Sequence, residues 1–137
     1  MTVSLLRIVA VAGLLTTASA CSEDDPLGPE DVAGSYTATT FTAATTDVLA
    51  AGGSIAVTLN ANGTTTGLLF VPASVTGGAA LSVDLAGTFQ LIGNRVRFDL
   101  NTASFVENVD FDIVGTTLRG NGTFGVIPAT VVLTRTT

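Results

Sequence analysis

Two stretches of this chain repeat one pattern, and that pattern dictates strands. Phe89-Gln-Leu-Ile-Gly-Asn-Arg-Val-Arg-Phe98 and Phe111-Asp-Ile-Val-Gly-Thr-Thr-Leu-Arg-Gly120 both run in alternating fashion around a central Gly-x pair. A period of two keeps one set of side chains on one face of a strand, which no helix can do. Glycine first in a two-residue loop suits a type II′ turn, whose twist matches that of the strands it joins. Each stretch is therefore read as a hairpin with a defined register. Leu91 faces Val96 and Phe89 faces Phe98 on the buried side. In the second hairpin Ile113 faces Leu118, and Phe111 lies opposite Gly120, an aromatic covering a glycine. On the outer face Asp112 meets Arg119.

The same period organises the chain from residue 34 onward. Residues 34–42 form a Thr-rich strand, with Tyr36 and Phe41 on opposite faces if the strand is straight. Residues 43–53 form a loop in which Val48 and Leu49 fold inward as a plug. Residues 54–60 alternate, with Ile55, Val57 and Leu59 on one face. Asn62-Gly63 turns the chain into a strand over 64–71, and Pro72 ends it because proline donates nothing to a ladder. Residues 73–80 are a small-residue loop. Leu81, Val83, Leu85, Phe89 and Leu91 share the next face, broken or bulged near Gly87. A last strand runs from about Val126 to Arg135, with Pro128 near its start.

This makes an all-β domain of about eight antiparallel strands in an up-and-down meander. A flat sheet of that size would expose two edges and a bare apolar face. Closure into a small barrel removes both. A two-sheet β-sandwich is the alternative. With 47% hydrophobic residues and 15 glycines, the chain favours strands and tight turns over helices.

The amino-terminal region reads differently. Met1 to Ala20 has a basic start at Arg7, a short apolar core beginning at Ile8 and a small-residue end, the three parts of an export signal. The apolar run is too short to span a bilayer. Ala18-Ser19-Ala20-Cys21 resembles the lipobox of bacterial lipoproteins, with Ala18 where that family commonly carries Leu. The resemblance implies that Cys21, the single cysteine, is acylated and becomes the mature amino terminus. Ser22 follows where lipoproteins kept in the inner membrane often carry aspartate, so the resemblance implies the outer membrane, facing periplasm or cell surface. Ordinary cleavage after Ala18-x-Ala20 would instead release a soluble protein with a free thiol. The expected organisation is a signal peptide over 1–20, a lipidated cysteine and acidic, Pro-containing tether over 21–33, and a barrel domain over 34–137. The tether, with five carboxylates, is read as extended and solvated, without the ligand spacing of a calcium loop.

Composition bounds the function. The net charge is −6, and the chain has neither His nor Lys. A surface this acidic repels nucleic acid. With Cys21 taken by the anchor, no disulfide forms and the fold has no soft metal ligand. Nucleophilic catalysis lacks a base, and Asp110 and Asp112 on one strand are expected to be ionised and solvated, suiting neither acid nor base work. Arg95, Arg97, Asp99, Asp110, Asp112 and Arg119 are read as the solvated face of a sheet. No enzyme, cofactor or metal is expected.

Gly34-Ser35-Tyr36 at the first strand, followed by hairpins and a last strand ending in Arg135, resembles bacterial lipocalin-like domains. In that family a Gly-x-Trp opens the barrel and a basic residue from the last strand packs over the Trp. Here Tyr36 takes the aromatic place and Arg135 the basic one. The resemblance implies a small apolar ligand held in the barrel of an envelope-anchored protein. The strand pattern suggests Tyr36, Phe41, Leu69 and Phe105, near an open end, as ligand contacts. The alternative is a non-enzymatic structural or interaction protein of the envelope with a filled barrel, and a third reading is an inhibitor of an envelope enzyme. Large interior residues favour filling, while interior glycines such as Gly67, Gly87, Gly120 and Gly122 leave room or permit bending.

Overall fold

The computed structural model describes residues 27–102 and 105–136. The signal segment, Cys21 and the first part of the tether lie outside the described residues. A helical turn, α1 (Pro29–Val32), precedes β1 (Gly34–Ala43), the two-residue β2 (Thr46–Asp47), β3 (Ser54–Leu59) and β4 (Thr64–Val71). A second helical turn, α2 (Ala73–Thr76), leads to β5 (Leu81–Asp84), β6 (Gly87–Ile92) and β7 (Arg95–Leu100). A 3-10 helix, Phe105–Asn108, then precedes β8 (Asp110–Val114), β9 (Thr117–Phe124) and β10 (Ile127–Arg135).

The strands form a meander that closes on itself. β1, β3, β4, β6, β7, β8, β9 and β10 pair antiparallel in that order, and β10 returns to β1. The result is an eight-stranded barrel, with β2 and β5 off the closed path. β5 extends the partner of β4 beyond β6: Leu68 pairs with Asp84 and Thr65 with Gly87 in one continuous register. The break falls at Leu85 and Ala86, next to the glycine where the sequence placed it.

Both repeated hairpins have the register read from the sequence, with Phe89 opposite Phe98 and Phe111 opposite Gly120. Gly93 and Gly115 have φ of 60°, while Asn94 and Thr116 are not in the positive region, which defines type II′ turns. Gly125-Val126, joining β9 to β10, is a third of this kind, with Gly125 at φ 66°. The turn at Asn62-Gly63 is built otherwise. Gly63 N donates to Asn60 O at 3.0 Å and only Gly63 has positive φ, so Ala61-Asn62-Gly63 is a three-residue loop ending in a glycine bulge.

Two further expectations change. Tyr36 and Phe41 do not face opposite ways, because the register of β1 against β10 shifts between Ala38 and Thr40. The extra residue inverts the alternation, and both aromatics point inward, 3% and 2% exposed. The tether is not extended to its end either. Pro29 supplies a first helical residue with preset φ, the Asp31 carboxylate accepts from Gly28 N at 2.8 Å, and Val32 is buried against the barrel.

The barrel is filled by its own side chains. Phe41, Phe111, Leu59, Leu69, Leu85 and Leu118 are among the fully buried residues, and Val48 plugs inward from the loop after β2. A void bounded by Ile55, Phe98, Leu100 and Leu133 measures only about 10 Å³, no more than one water. The glycines of β9 do not leave space. Val109 packs into the positions that side chains on Gly120 and Gly122 would need, and the Phe111 ring lies 2.9 Å from the place of a Gly120 Cβ.

Candidate functional site

The two ends of the barrel differ because their connections differ. At one end lie the tight turns at 60–63, 93–94 and 115–116, together with α1 and the end of β10. At the other lie the long connections at 44–53 and 72–80, residues 101–102 and 105–109, and the 125–126 turn. Loops on a rigid scaffold are where binding surfaces concentrate.

The tight-turn end is sealed. Tyr36 Oη donates to Val32 O at 2.7 Å, and the Arg135 guanidinium donates back to Tyr36 Oη at 3.0 Å through one terminal nitrogen. The same nitrogen reaches Asp31 O at 3.1 Å, and the guanidinium carbon stands 5.5 Å from the centre of the Tyr36 ring. One arginine thus ties the last strand, the first strand and α1 together, the aromatic–basic contact that the sequence resemblance implied.

The loop end holds an open apolar pocket of about 370 Å³. Val75 and Thr76 of α2, Ala79 after it and Leu81 of β5 form one wall. Ala43, Ala44 and Thr46, where β1 turns into β2, face Phe124 and Ile127 from the β9–β10 hairpin. No lining residue carries a charge. The Thr76 hydroxyl is occupied, donating to Ala79 O at 2.7 Å, while that of Thr46 makes no hydrogen bond among the described residues. Ala44 adopts φ 53°, with its N–H bonded to Pro128 O at 2.7 Å, so the turn from β1 is pinned to the hairpin that forms the far wall. Val126 at the hairpin tip is 95% exposed.

Beneath the pocket an aromatic stack closes the barrel. Phe105 stacks on Phe41 with centroids 5.8 Å apart and meets Phe124 edge-on at 5.4 Å. Of the four contacts suggested by the strand pattern, Phe41 and Phe105 meet in this stack. Tyr36 lies at the opposite end, and Leu69 is fully buried in the wall. None of the four lines the pocket. Its lining was readable in part. The sequence after Phe124 is Gly-Val-Ile, a third Gly-x turn carrying apolar residues, and the small residues of 73–80 are too short to fill the space beneath them.

The outer charges pair along β7 and β8. Arg97 bonds Asp110 in a two-pronged contact at 2.8 and 2.9 Å, and Arg95 Nε reaches Asp112 at 2.8 Å. Asp112 and Arg119 stand opposite in register, yet the ion pair forms with Arg95 instead. Hydrogen bonding from Arg97 lowers the Asp110 pKa, and the same bond raises that of Arg97. Among the described residues no group of acidic side chains is placed to hold a metal ion, and no helix is long and apolar enough to cross a membrane. No protein-family model matches the chain, and no curated protein or solved structure is significantly similar to it.

Proposed function

We propose that this protein is an exported bacterial lipoprotein, anchored through Cys21, that binds a small apolar ligand and catalyses nothing. One observation carries the binding reading: the barrel interior is packed, while an apolar pocket of about 370 Å³ opens among the loops. That volume falls at the small end of the roughly 300–1,000 Å³ range of ligand sites. The ligand therefore sits on top of the barrel, against Phe124, Leu81 and Ile127, rather than inside it. The Tyr36–Arg135 contact supports a lipocalin-like relationship at the level of architecture. Threonines are the polar side chains of the lining, and they have no neighbouring base, which supports a non-enzymatic role.

Anchoring fits this geometry. Leu27 follows Cys21 by six positions, so chain length keeps Leu27, just ahead of the helical turn that packs on the barrel, within about 20 Å of an acylated cysteine. The chain enters at the tight-turn end, and the pocket opens at the other. An outer-membrane lipoprotein built this way presents its pocket away from its own membrane. A second reading, a filled barrel that docks an envelope protein, is favoured by the exposed Val126 and Ile127 beside the pocket.

Nile red, a neutral apolar dye, tests the binding reading. Its fluorescence should rise on mixing with the wild-type protein and fall when Ala79→Trp fills the pocket from an exposed position. A wild-type protein that leaves the dye unchanged overturns the pocket reading and favours the docking one. Mass spectrometry of the membrane-extracted protein, with Cys21→Ser as control, tests the anchor. An unmodified Cys21 in that fraction rejects it.

A further inference from the structure

The cations of the barrel are segregated by end, and the pocket lies in the half that has none. The four described arginines, Arg95, Arg97, Arg119 and Arg135, all fall in the strand halves next to the tight turns. Arg95 and Arg97 are the first and third residues after the 93–94 turn, and Arg119 is the third residue of β9 after the 115–116 turn. Arg135 is committed to Tyr36 and Asp31 at that end. Carboxylates occur at both ends: Glu30, Asp31, Asp110 and Asp112 accompany the arginines, while Asp47, Asp84, Asp99 and Glu107 stand in the loop-end half without a cation. The whole chain is already at −6.

From this placement, and resting on the pocket reading above, we infer that the site selects uncharged amphiphiles and rejects anionic ones such as fatty acids and phospholipid headgroups. The apolar wall takes a hydrocarbon body. A carboxylate or phosphate at its mouth would meet no arginine or lysine and would stand in a field set by like charges. A hydroxyl or carbonyl loses nothing there, because the Thr46 hydroxyl on the wall is free to donate to it or accept from it. The selectivity lies in what the rim lacks. Ionic strength must weaken it, since Asp47, Asp84 and Asp99 are solvent-facing and screened within about 8 Å at physiological salt.

Displacement of Nile red from the full-length protein by decanol, decanoate and decyltrimethylammonium tests the inference at pH 7.5. Decanol should displace the dye at concentrations at least about tenfold below decanoate, the gap narrowing in high salt. Val126→Arg places a cation beside the mouth, at a hairpin-tip residue that is exposed and does not line the pocket. That variant should tighten decanoate by about tenfold with little change for decanol. Decanoate binding as well as decanol in the wild type overturns the inference and leaves the pocket reading standing. A failure of Nile red itself to bind overturns the pocket reading. Tightest displacement by the cationic amphiphile also overturns the choice of an uncharged ligand, since the carboxylates of the loop-end half would then attract rather than merely exclude. A Val126→Arg protein that binds Nile red like the wild type but gains nothing for decanoate rejects the electrostatic cause.

Discussion

At the scale of single residues, the clearest dependence is of small on large. Val109 and Phe111 occupy the volume that side chains on Gly120 and Gly122 would take. Gly120→Val should therefore destabilise the fold by about 1–3 kcal/mol through overpacking, measured by urea unfolding. Ala44 offers the opposite sign. It is the one non-glycine residue with positive φ among those described, so Ala44→Gly relieves strain and should stabilise by up to about 1 kcal/mol, net of the added freedom of the unfolded chain. A thermal melt that shifts downward would contradict this. The Arg97–Asp110 pair sets a pH dependence. Its carboxyl is lowered from 3.8 in the fold, so its contribution is fully present above that value and is lost as pH falls through the folded pKa. Wild type should exceed Asp110→Asn in stability at neutral pH, with the difference closing in acid. Both groups are solvent-exposed, so the difference should be small and should shrink with added salt.

At the scale of elements, what was legible is what alternation and turn chemistry control. The registers of β6–β7 and β8–β9 follow from the Gly-x pairs alone, since a glycine in a type II′ loop leaves one pairing consistent with both twist and burial. Gly115→Ala, where φ is 60°, should cost about 1–2 kcal/mol, whereas Thr116→Ala should be near neutral. Equal effects in denaturant titrations would argue against the turn assignment. The inward turn of both Tyr36 and Phe41 was not legible. It depends on one extra residue near Thr39, and in a run of threonines and alanines nothing marks a bulge. Nor was α2, because four residues of Ala, Ser, Val and Thr have no helical period to display. The pocket was hidden for the same reason: its walls come from short segments far apart in the chain that only closure brings together. The outer-face ion pairs were half legible, since Asp112 has two arginines across from it on different strands and the sequence does not say which wins.

At the scale of the whole molecule, closure is what the meander accomplishes. β10 pairs with β9 along one edge and with β1 along the other, so no strand of the closed path is left as a free edge over the paired lengths. The seal around Arg135 then sets the position of the ends. Tyr36 lies opposite Arg135 in register, Thr136 N donates to Ser35 O at 2.8 Å, and Arg135 reaches Asp31. Where the described chain enters and where it leaves are neighbours. A ring of this kind has no intrinsic first strand, and its order of synthesis is separable from its shape. A circular permutant that links residue 136 to residue 27 by a short flexible peptide and begins at Asn94 should fold to the same barrel, with near-native circular dichroism. One that begins at Val131, inside the doubly paired β10, should not. The strand that holds the barrel shut is the place where the chain cannot be cut.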